Sequence, residues 1–149
     1  MNEHRTLNIE QRTSNESQPG RARKMYDLEE RLLNYAAEII KFTEKLPNSR
    51  AGNHVAGQLL RSGTSPLSNH GEAEAAESHE DFVHKLKICL KELRESLRWI
   101  RLVRKSRLLP DTETNRLESE SDELVRIFVA SLRTSERRAL ERKRRPASE

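Results

Sequence analysis

The sequence predicts an all-α protein: an antiparallel, up-down-up-down four-helix bundle whose second helix is kinked near Gly63 to Pro66. Three observations predict it. Prolines and glycines fall at positions 19, 20, 47, 52, 57, 63, 66, 71, 110 and 146, leaving three long stretches without a helix breaker. Within those stretches apolar residues return every three or four positions, the spacing of one buried helix face. Short connections at 46 to 49, at 77 and 78, and at 108 to 111 make successive helices antiparallel neighbours.

Taken in order, residues 1–24 are polar and without periodicity and read as a disordered arm, followed by the bundle over 25–138 and a basic tail over 139–149. Helix one is expected to open at Asp27, whose carboxylate caps the first turn with Glu30 three residues on, and to stop before Pro47. Its inward face reads Leu28, Leu32, Tyr35, Ala36, Ile39, Thr43 and Leu46. Helix two starts at Asn48 or Ser49 and turns Ala51, Val55, Ala56, Leu59 and Leu60 inward. Leu67, Ala73 and Ala76 keep that phase beyond Gly63 and Pro66, which predicts one kinked helix rather than two. Within that interruption Gly63, Ser65 and Ser68 allow another helix to approach closely, while Asn69 and Glu72 are placed to satisfy backbone groups freed by Pro66. Ser78, with Asp81 three residues on, begins helix three. Phe82, Leu86, Cys89, Leu93, Leu97, Ile100 and Val103 form its seam. Pro110 and Asp111 start helix four, with Thr114, Leu117, Ser121, Leu124, Val125, Phe128 and Leu132 inward, and the helix is expected to fray into the tail.

Charged residues make up 35% of the chain against about 25% in an ordinary globular protein, so the helices must carry wide solvated faces. An apolar fraction of 34% predicts a thin core, with stability shared across subunits. The net charge is +4, and its distribution is uneven. Between Arg133 and Arg145 seven cations meet two carboxylates, a local +5 that leaves about −1 for everything else. The lone Cys89 has no partner for an intramolecular disulfide, and no apolar run reaches signal-peptide or membrane-spanning length. These features predict a soluble cytoplasmic protein.

On helix three Lys87, Lys91, Arg94, Arg98, Arg101 and Lys105 recur at spacings of four and three, a straight row. The row is about 27 Å long and lies roughly 130° around the helix from the apolar seam. Such a row matches a phosphate backbone, and Arg137 and Arg138 extend the candidate nucleic-acid site toward the tail. The same pattern also suits a solvated face, or one that pairs with acidic surfaces such as Glu72, Glu74, Glu77 and Glu80. Trp99 either stacks on a base or packs at a bundle edge.

Catalytic and metal chemistry find little support. Only Asp81 to His84 has the acid-x-x-His spacing of bundle metal centres, and helices one and four carry no histidine for a second ligand pair. His54, His70, His79 and His84 are expected at the surface or against a partner. Cys89 lies on the apolar face beside Leu86 and Leu93 and reads as a core residue rather than a nucleophile. Gly52 and Gly57 are followed by Gln58 rather than Lys and Ser or Thr, so no nucleotide-binding phosphate loop is present. No cofactor, metal or catalytic residue is therefore expected.

Three segments, DLEERLL at 27 to 33, GQLLRSGTSPLSNHGE at 57 to 72 and DFVHKLKICLKELRE at 81 to 95, resemble one family. It comprises the bacterial four-helix-bundle proteins related to those encoded in intervening sequences of large-subunit (23S) ribosomal RNA genes. The likeness spans about residues 25 to 138, and its most specific part is the serine-rich kink followed by Asn-x-x-Glu at 69 to 72. The resemblance implies a four-helix bundle assembling as a homo-oligomer, a ring of five. It also implies kinship with the basic RNA-binding accessory protein of the reverse transcriptase in diversity-generating retroelements. It supplies no catalytic residues.

Residues and resemblance together lead to an expectation of a non-enzymatic oligomer that binds nucleic acid, structured RNA above all, through the basic row. The alternative is a protein-interaction module, including an accessory partner of a reverse transcriptase.

Overall fold

The computed structural model describes residues 19–145, four helices in chain order: α1 (Pro19–Lys45), α2 (Arg50–Glu74), α3 (His79–Ser106) and α4 (Asp111–Arg144). Contacts run α1 to α2, α2 to α3 and α3 to α4, and α4 returns to α1, which closes the bundle. Across α1 and α4, Arg31 pairs with Glu120 and Lys45 with Glu113, so the two helices run in opposite directions. Across α2 and α3 the order also reverses, with Arg61 on Glu92 and Glu72 on Lys85.

Two ends differ from expectation. Helix α1 begins at Pro19, eight residues before Asp27, so Asp27 and Glu30 are exposed interior residues and not caps. Proline suits a first helical position because its fixed φ is already helical and its missing amide would have no partner there. The arm expected over residues 1–24 thus ends in helix from Pro19, and its remainder lies outside the described residues. Nor does α4 fray after Arg138: it stays helical to Arg144. Ala139, Leu140 and the alternating Glu and Arg are good helix formers, Arg137 lies near Glu141 one turn on, and the terminal cations complement the helix dipole. Residues 146–149 of the expected tail lie outside the described residues.

The inner caps follow the sequence. Ser49 Oγ accepts from Gly52 N at 3.0 Å, and Ser78 Oγ accepts from Asp81 N at 3.0 Å. Helix α3 stops at Arg107, which takes the left-handed conformation (φ 57°) and donates its amide to the Arg104 carbonyl.

Helix α2 runs unbroken through Pro66, the residue that kinks a helix by removing the amide its own turn needs. Asn69 Nδ2 donates to Ser65 O at 3.0 Å, whereas the carbonyl that Pro66 leaves without its amide donor is that of Ser62, so Asn69 does not serve the expected role. Glu72 instead salt-bridges Lys85 at 2.6 Å. The buried seam of α2 is Gly52, Val55, Leu59, Ser62, Gly63, Pro66, His70 and Ala73, so Ala51 and Leu60 face outward and His70 inward, the reverse of expectation. Small residues decide this phase. A Cβ on Gly63 would stand 2.6 Å from Ile39 Cγ1, so only glycine lets α1 and α2 approach this closely.

The core otherwise follows the predicted periodicity. Leu32, Tyr35 and Ile39 meet Leu59, Leu93, Ile100, Leu124 and Phe128, and Phe42 and Leu90 join them. A polar layer crosses it: Tyr35 Oη and Ser121 Oγ are 2.7 Å apart, and Ser96 Oγ donates to Ser62 Oγ at 2.9 Å. Each helix contributes one of these four residues. These contacts favour one register, because a slipped helix would leave Tyr35 and Ser62 without their partners, while Ser96 and Ser121 would keep only the carbonyls of their own helices.

Candidate nucleic-acid interface

Each flank of α3 faces a neighbouring helix, and what remains outward is chiefly the basic row, with His84 and Leu102 exposed beside it. On the α2 side Arg61 reaches both Glu92 and Glu95, and Trp99 Nε1 donates to Glu95 at 3.4 Å. Trp99 is half-buried, edge-on to His54 and packed against the core at the bundle edge. On the α4 side Glu118 takes Arg101 and Arg104, both at 3.2 Å. Between these flanks Lys87, Lys91, Arg94, Arg98, Arg101 and Lys105 are all exposed, as the 3.6-residue repeat requires.

The six are not equivalent. Among the described residues, no carboxylate oxygen stands within 4 Å of Lys87, Lys91, Arg94, Arg98 or Lys105, while Arg101 shares Glu118 with Arg104. Lys91, Arg94 and Arg98 border a shallow depression of about 570 Å³ floored by Leu90. The N-terminal end of the row meets the last turns of α4. Lys87 and Lys143 line one groove of about 540 Å³, so the row and the basic end of α4 form adjoining surfaces. Arg137 and Arg138 are exposed on those turns. Arg104 adjoins this surface but lies off the row, and the sequence does not single it out; Lys143 counts there only among the cations of the expected tail, and His84 is exposed as expected.

The interior offers little reactive chemistry. The Cys89 side chain is buried, its Sγ lies 3.6 Å from Pro66 O, and burial pushes its thiol up to about 12, which keeps it protonated at neutral pH. Burial likewise raises the Tyr35 phenol to about 12, against the hydroxyls of Ser121 and Ser96. Among the described residues no three His, Cys, Asp or Glu side chains converge as a metal site would need. No described helix is long and apolar enough to cross a membrane.

Comparison with known proteins adds identity at this point. No functionally curated protein matches the chain. A crystal structure of a protein of unknown function from the S23 ribosomal protein family of Bacteroides thetaiotaomicron superposes with a TM-score of 0.66 at 30% identity, covering 70% of this chain and 96% of that one. Residues 24–130 match the family described as 23S rRNA-intervening sequence protein. With its four helices and serine-rich α2 crossing, the chain therefore belongs to the 23S rRNA-intervening sequence protein family.

Proposed function

We propose that the protein is a non-enzymatic, cytoplasmic homo-oligomer, a ring of five, that binds structured RNA through the outward face of α3 and the adjoining basic end of α4. The observation that carries this reading is the row itself: five of its six cations have no carboxylate partner among the described residues, and they follow one line along α3. Such cations release condensed counterions when they meet phosphates. Self-association draws on the exposed apolar residues of α1, Leu33 and Ile40, 49% and 47% accessible with Ala37 between them on the same face. The family resemblance points the same way.

Fluorescence anisotropy across salt, with a ribosomal RNA fragment and duplex DNA, tests the reading. Six phosphate contacts give a log–log salt slope near −5, and replacing Arg94 and Arg98 by Ala flattens it by about two. Arg101→Ala contributes less, because Glu118 already holds that guanidinium. An unchanged slope in the double variant refutes the row as the interface. Binding that vanishes near physiological salt favours the second reading, a protein-interaction module such as an accessory partner of a reverse transcriptase. The apolar α1 face and Glu74, Glu77 and Glu80, exposed on and after α2, would serve that role. Charge reversal of those carboxylates then dissolves the oligomer, whereas RNA binding alone leaves it intact.

A further inference from the structure

The groove where α3 begins and α4 ends has a composition unlike the rest of the basic surface. Its floor is apolar: Val83 from α3, and Ala139 and Leu140 from α4, the last 58% accessible. Two cations line it, Lys87 from α3 and Lys143 from α4, together with two carboxylates, Glu80 and Glu136. The imidazoles of His79 and His84 line it as well, with His79 stacked on Phe82 at 6.4 Å.

We propose that this groove receives unpaired bases of an RNA strand whose paired part lies along the α3 row. The inference rests on the nucleic-acid reading of that row. Interior base pairs of a duplex have no use for an apolar floor, since both of their faces are already stacked, whereas a single-stranded base gains by leaving water for aliphatic and imidazole surfaces. Its phosphates meet Lys87, which continues the row, and Lys143 of α4. The carboxylates of Glu80 and Glu136 also line the groove. They accept hydrogen bonds from the amino groups of bases and disfavour a phosphate beside them. The row supplies electrostatic affinity without regard to sequence, and the groove recognises a junction between paired and unpaired RNA.

The test uses the full chain and two labelled RNAs: a blunt hairpin, and the same hairpin carrying a short single-stranded adenine tail. Anisotropy at one fixed salt concentration reads both. The tail should tighten binding about tenfold, in keeping with base stacking on protein surfaces. Leu140→Ser should abolish that gain and leave blunt-hairpin affinity unchanged, because Leu140 lies outside the core cluster and the substitution alters no charge. Equal affinity for both RNAs in the unsubstituted protein overturns the proposal. So does a Leu140→Ser variant that keeps the gain, or one that changes the native mass, which would make the groove a contact between copies. Failure of both RNAs to bind removes the row and the groove together. Binding of the tailed RNA alone sustains the groove and removes the row.

Discussion

The close crossing of α1 and α2 can be tested with two glycines of the same helix. Gly57 and Gly63 both lie within α2, and each should gain about 1 kcal/mol of helix propensity when replaced by alanine. Their surroundings differ. A Cβ on Gly57 meets nothing within 4 Å, whereas one on Gly63 would stand 2.6 and 2.7 Å from Ile39 Cγ1 and Cγ2. Ile39 is fully buried and both branches of its side chain are involved, so no rotamer change relieves the overlap. Overpacking of this kind costs about 1–3 kcal/mol, and the double overlap places Gly63→Ala toward the upper end. The expected outcome is Gly57→Ala stabilised by about 1 kcal/mol and Gly63→Ala destabilised by about 1–2, a separation of about 2–3 kcal/mol. For a chain of this size that is roughly 6–12 °C between the two midpoints. Urea denaturation with thermal melts measures both, and because propensity is common to the pair, their difference isolates the packing cost. Equal stabilisation of the two variants would refute the claim that glycine sets the helix spacing.

Three further outcomes follow from the interior and the row. Tyr35→Phe should lower stability by about 1 kcal/mol in chemical denaturation, since it removes the contact with Ser121 but leaves that hydroxyl bonded to the Leu117 carbonyl; a neutral substitution would mean the polar layer does not hold the register. His70 is buried with Nδ1 unpartnered, edge-on to the Phe128 ring of α4, with Glu74 of its own helix and Glu29 of α1 nearby; burial lowers its pKa despite those carboxylates. The unfolded chain then binds more protons, so stability is complete above about pH 6.5 and falls as pH drops below it, by at most about 1.4 kcal/mol per pH unit for this one group. His70→Leu should flatten that loss in urea titrations at stepped pH, and identical pH profiles would count against the assignment. Glu118→Gln should free Arg101 and Arg104, steepening the salt dependence of RNA binding by about one and tightening it; weaker binding would show that Glu118 orients those cations for contact.

Helical periodicity made most of this protein readable in one dimension. The seam of α3, the inward face of α4 and the caps at Ser49 and Ser78 depend on residues three or four apart, within one helix and visible in its own segment. The exposed row was legible for the same reason, being the complement of that seam. What the sequence could not determine was every property that depends on a second helix. Leu60 looks like core and His70 like surface until Gly63 meets Ile39 and fixes the rotation of α2. The pairing of Ser62 with Ser96, the capture of Arg101 by Glu118, and the groove that joins Lys87 to Lys143 link residues 34, 17 and 56 positions apart. Charge and hydropathy are properties of each residue, so the sequence alone set the helices and their polar and apolar faces. Which cations remain without a partner, and where an apolar floor opens beside them, depends on distances between helices, and only tertiary packing decided those.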